Sequence, residues 1–139
     1  MDERLLAAYR RTDYRVRLPS GGTTCLRVDE PLPAALHALV GASQWGFITA
    51  WHPGSHPAPR EANRAAQRQL LAELLREPTT QRILGAVGVG AEGWREPSLF
   101  AIGTDIGVLE RLAVAFGQLA FLGGDGPGAA RLHRTPITP

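Results

Sequence analysis

The chemistry this chain could perform rests on three short clusters of polar and aromatic residues. The first pairs Thr49, Trp51 and His52, at the end of an apolar run, with Asn63 and Gln67 downstream. The second is Trp94-Arg95-Glu96-Pro97-Ser98, which offers a large apolar face, a carboxylate and a hydroxyl in consecutive positions. The third is Phe116-Gly117-Gln118. Amides and hydroxyls of this kind suit recognition of a small polar ligand or a peptide backbone. Acid–base catalysis is the alternative, with Glu96 as acid or base and His52 as proton carrier. It requires both groups to reach a shared substrate at about 3 Å and at least one to have a displaced pKa. Spacing alone does not show whether the three clusters meet.

The helical period of the segment carrying Asn63 sharpens the first cluster. At about 100° per residue, Asn63 falls roughly 20° and Gln67 roughly 60° from Leu70, while Glu61, Arg64 and Arg68 fall on the opposite side. An amide aimed inward must be hydrogen-bonded. Either Asn63 ties down backbone in the proline-rich loop from His52 to Ser55, or with Gln67 it lines a cleft at the carboxyl end of the preceding strand. Trp94 and Glu96 likewise have a plain reading, an indole covering the core edge and a solvated or ion-paired carboxylate.

Other motifs fail on their surroundings. Gly88-Val89-Gly90-Ala91-Glu92-Gly93 has the G-x-G-x-x-G spacing, but Pro97 prevents a helix from following, so the run reads as a strand end and loop. His52 and His56 stand four apart, yet Pro53, Gly54 and Pro57 exclude the helix that would make them a metal pair. Neither Ser55 nor Ser98 sits in a nucleophile-elbow pattern. Cys25, the lone cysteine, is expected as a small buried apolar residue in a strand. His37 and His133 read as surface residues. No metal site and no cofactor are expected.

With 139 residues the chain has the size of one domain, assigned to 1–134, with a loose tail at 135–139. Hydrophobic residues make up 44% and charged residues 20%, which excludes a disordered chain. No apolar run approaches the roughly 20 residues of a membrane span, and the charged start Met1-Asp2-Glu3-Arg4 is not a signal core. A cytoplasmic location is the expectation. Every basic residue is arginine, as a GC-rich genome favours. A net charge of +2 argues against a dedicated nucleic-acid binder. The arginines at 4, 10, 11, 15, 17 and 27 leave a local basic patch for a nucleic-acid or protein partner as a further alternative.

The elements needed to hold these clusters follow from periodicity and punctuation. A helix is predicted over 2–11, a hairpin from strands 13–18 and 23–28 across Pro19-Ser20-Gly21-Gly22, and a helix from Asp29-Glu30 to Gly41. The nearly continuous apolar run 45–51 reads as a central strand covered on both faces. A long helix over 59–76 precedes strands at 81–90 and 97–103. A helix over 105–116 and a last hairpin from 118–122 and 129–133 complete the chain. Hairpins interleaved with helical crossovers predict an α+β (mixed α/β) fold, with a single mixed sheet and about four helices packed on it.

The ordered set ITAWHP (48–53), EANRAAQRQL (61–70), EPS (96–98) and FGQLA (116–120) resembles a bacterial family, the domain of unknown function 3293, over roughly 9–122. Thr49, Pro53, Asn63, Glu96, Ser98, Gly117 and Gln118 fit the family's pattern. His52 stands where that pattern has asparagine, and Ala62 separates Glu61 from Asn63. The resemblance implies the extent of the fold and no particular reaction. Taken together, the residues point to a cytoplasmic binding or regulatory module for a small polar ligand, a peptide or a protein partner, with a small acid–base enzyme as the alternative.

Overall fold

The computed structural model describes residues 1–137. Seven strands form one sheet in the order β2-β1-β4-β5-β3-β6-β7, with four α-helices. The strands are β1 (Asp13–Arg17), β2 (Thr23–Leu26), β3 (Gln44–Ile48), β4 (Arg82–Val89), β5 (Arg95–Ile102), β6 (Ala120–Asp125) and β7 (Arg131–Arg134). The helices are α1 (Glu3–Arg11), α2 (His37–Val40), α3 (Arg60–Arg76) and α4 (Ile106–Ala115). The α+β class holds, but the expected mixture of strand directions does not, because every ladder is antiparallel. The crossovers explain the difference. α3 joins β3 to β4, and β5 lies between them; α4 joins β5 to β6, and β3 lies between them. Each helix therefore links two parallel strands that do not touch, and an antiparallel strand fills the gap.

Core forms on both faces of the sheet. On one, Tyr14, Val16, Trp45, Phe47, Phe100 and Leu122 pack together, with Leu32, Leu36 and Val40 from the segment before β3 laid over them. On the other, Ile48, Ala101 and Phe121 meet Leu70 and Leu74 of α3 and Leu109 and Leu112 of α4. β3 is the strand buried on both faces that its apolar run predicts. Gly124 on β6 lies where a Cβ would come within 2.5 Å of the Trp45 ring, so only glycine fits there.

The segment from Asp29 to Gly41 corrects the predicted helix. Asp29 N–H donates to Ala130 O at 2.8 Å and Ala130 N–H to Glu30 O at 2.9 Å, which draws this chain toward the segment preceding β7. Pro31 and Pro33 disfavour helical geometry in the residues before them. Only a short turn at Ala34–Leu36 and one turn of helix, α2, remain. Arg131 pairs with Asp29 across the same junction at 3.1 Å, so the two edges of the sheet approach one another.

Cys25 also departs from expectation. It is exposed, because β2 is an edge strand whose inward residues are Thr24 and Leu26. Thr135, placed at the head of the tail, is buried; its hydroxyl donates to Gln118 O at 2.7 Å and its N–H to Leu119 O. Thr138 and Pro139 lie outside the described residues. His37 is exposed, whereas His133 is half-buried and stacked on Phe121. No helix among the described residues is long and apolar enough to cross a membrane.

Candidate functional site

At one end of the sheet, α1 roofs a cavity of about 330 Å³. The helix begins with Asp2, whose carboxylate accepts from Leu5 N–H at 2.8 Å. It ends against Arg27 of the following hairpin, whose guanidinium reaches the carbonyls of Arg10 and Arg11. No residue of α1 is fully buried, and its apolar side, Leu5, Ala8 and Tyr9, faces the cavity. The Tyr14 hydroxyl donates to Tyr9 O at 3.0 Å and ties this roof to the sheet.

The floor follows from strand register. Tyr14 on β1, Gly88 on β4 and Glu96 on β5 stand in one row across three strands, and cross-strand neighbours project to the same face. Tyr14 and Glu96 therefore flank a position with no side chain. A Cβ at Gly88 would meet nothing closer than 3.8 Å. That gap is part of the cavity.

Glu96 is the chemically unusual wall. Its Oε1 accepts from the Trp94 indole N–H at 2.9 Å. Burial raises its pKa to about 7, a shift that the indole hydrogen bond only partly opposes. The residue as a whole is half-buried at the cavity wall. Ser98 lies two residues on, on the same face, and its hydroxyl donates to Glu96 O at 2.8 Å. Tyr9 sits across from them. Burial, with the Glu96 charge adding to it, pushes the Tyr9 phenol up to about 12 and keeps it a neutral hydrogen-bonding group.

The three clusters do meet at their backbones. The Thr49 hydroxyl donates to Pro97 O at 2.7 Å and accepts from Trp51 N–H at 3.0 Å. The Gln118 amide donates to Trp51 O at 3.0 Å. Thr49, Trp94, Glu96, Ser98 and Gln118 line the cavity together.

The remaining candidates are placed elsewhere. Asn63, 1% exposed, accepts from His52 N–H at 3.0 Å and donates to Ala58 O at 3.1 Å. These are loop-tying bonds. His52 holds a left-handed backbone (φ 47°), its Nδ1 accepts from Ala58 N–H at 3.2 Å, and its ring packs 4.5 Å from that of Trp94. Desolvation lowers its pKa. Gln67 accepts from Ala50 N–H at 2.8 Å and, with Trp51, lines a groove on the opposite face of the sheet.

Sequence reasoning missed Tyr9, Tyr14 and Gly88. The two tyrosines were visible as inward positions of a helix and a strand, but only the register shows that they surround a glycine gap.

The model of the protein family of unknown function DUF3293 matches residues 48–121, slightly more than half of the chain. The chain belongs to that family. The matched segment contains all nine candidate residues, whereas the roof α1 and the β1–β2 hairpin precede it. No curated protein and no solved structure matches the chain.

Proposed function

We propose that the cavity beneath α1 binds a small molecule that is apolar over most of its surface and carries one cationic or hydrogen-bond-donating group. The observation that carries this reading is the Glu96 carboxyl, desolvated at the wall of an open space of about 330 Å³, beside Gly88. The volume is that of a small-ligand site. Phe47, Tyr14, Leu122 and Leu132 make the lining mainly apolar, which favours an amphipathic ligand over a uniformly polar one. An amine would ion-pair with Glu96 as a carboxylate, and an alcohol or amide would hydrogen-bond to it.

Proton transfer is the second reading, because a carboxyl with a pKa of about 7 is suited to general acid–base work near neutral pH. His52 does not line the cavity and its Nδ1 accepts from Ala58 N–H, so this reading rests on Glu96.

The experiment is a thermal-shift and tryptophan-fluorescence screen of small aromatic and aliphatic amines against matched neutral alcohols. A ligand at 100 times its Kd stabilises the fold by about 2.7 kcal/mol. The expected result is a hit lost in Gly88→Leu, which fills the gap, and shifted from amine toward alcohol in Glu96→Gln. Binding that survives Gly88→Leu unchanged would refute the cavity as the site.

A further inference from the structure

Pro97 and Leu99 alternate along β5 with Glu96 and Ser98, so they face away from the cavity. With Trp51 they form one side of a shallow groove of about 350 Å³, and α3 forms the other through Arg60, Arg64 and Arg68. Residues four apart lie on one helix face, so the three arginines make a single stripe about 12 Å long along α3, with Glu61 on the same side, and it is mainly their aliphatic stems that line the groove. None of the three is ion-paired with another described residue, unlike Arg76 and Arg111, which pair with Glu73 and Glu77. Gln67 lies among them. Its carbonyl oxygen is held by Ala50 N–H, but its amide nitrogen is buried with no hydrogen-bond partner among the described residues. A buried donor left unmade is costly, and native structures seldom keep one without a reason.

We infer that this groove binds a small aromatic phosphate, its ring against Trp51 and Leu99 and its phosphate on Arg64 and Arg68, with Arg60 at the end of the stripe. Guanidinium forks match phosphate oxygens in pairs, and three unpaired cations exceed what one carboxylate would neutralise. An indole face takes a planar ring by stacking. The stripe is confined to three arginines beside one groove, which favours a small ligand over a nucleic-acid strand. This site is independent of the cavity on the other face.

Heteronuclear NMR on the full chain tests it, with phenyl phosphate, inorganic phosphate, phenol and a short single-stranded oligonucleotide as probes. Phenyl phosphate should saturably shift the Trp51 indole and Gln67 side-chain amide signals and bind more tightly than inorganic phosphate or phenol. Arg64→Gln and Arg68→Gln should each weaken it by about tenfold. Both arginines are exposed, so the fold should survive these changes, and Gly88→Leu should leave the affinity unaltered. Equal binding of inorganic phosphate, or affinity indifferent to both arginine variants, would overturn the inference. So would an oligonucleotide that outcompetes phenyl phosphate with a steep salt dependence, which would mark a polymer site.

Discussion

Asn63 and Glu96 are both polar side chains turned inward near the same loop, yet they are committed differently. Asn63 uses its oxygen on His52 N–H and its nitrogen on Ala58 O, and these bonds hold a segment that includes a left-handed histidine. Glu96 has a carboxyl with four lone-pair positions and one indole donor, and it borders open space. A buried polar group whose capacity is met by backbone is structural. One whose capacity exceeds its partners, next to a gap, is where a ligand gains most. The two regions also respond oppositely to pH. The depressed pKa of His52 means that its contribution is present above the unfolded value and lost as pH falls. The raised pKa of Glu96 means that stability is highest where it is protonated and declines as pH rises from about 4.5 toward 7.

The comparison breaks most visibly at Asn63. Asn63→Leu strands the His52 N–H and the Ala58 carbonyl and should cost about 3 kcal/mol in urea unfolding, with any cavity ligand still bound by the folded fraction. A loss below about 1 kcal/mol would show that the loop does not depend on the amide. Glu96→Gln keeps an oxygen for the Trp94 indole and removes the buried charge. It should raise stability at pH 8 by up to about 3 kcal/mol, with little effect at pH 4. Thermal melts across that range should show the wild type losing stability from acid to neutral pH and the variant remaining flatter. Gly117→Ala is smaller: with φ at +69° and a Cβ 3.0 Å from Pro53, it should cost about 1–2 kcal/mol and sharpen the assignment of this loop as rigid scaffold. Smallest of all is Gly88→Leu, whose stability should stay within about 1 kcal/mol of wild type because the side chain enters existing space.

Much of the local structure was legible because it is written in short-range signals. Pro19 to Gly22 marked the β1–β2 turn, the aromatic and β-branched run marked β3, and the period of 3.6 pointed Asn63 inward before any fold was known. Strand direction was not legible. Hairpins and crossovers are compatible with a mixed sheet, and only the non-local placing of β5 between β3 and β4, and of β3 between β5 and β6, makes it antiparallel throughout. The candidate site divided in the same way. Glu96, Ser98 and Trp94 stood together in sequence, but the cavity depends on Tyr9, Tyr14 and a missing side chain at Gly88. An absence acquires meaning only when register places it between two large neighbours. The spread of Thr49, Trp51, His52, Asn63 and Gln67 over two faces and a loop was likewise invisible, since it turns on non-local contacts: Thr49 and Trp51 with β5, and Asn63 with His52 and Ala58.

Carbon-detected NMR titration of the Glu96 side-chain carboxyl in the free protein tests most directly the view that this carboxyl is desolvated and uncommitted. The account predicts a midpoint near the raised value of about 7, falling when a cationic ligand enters the cavity. A midpoint at the ordinary glutamate value near 4.5, unmoved by amines, would show a carboxylate already solvated and contradict the cavity as a ligand site.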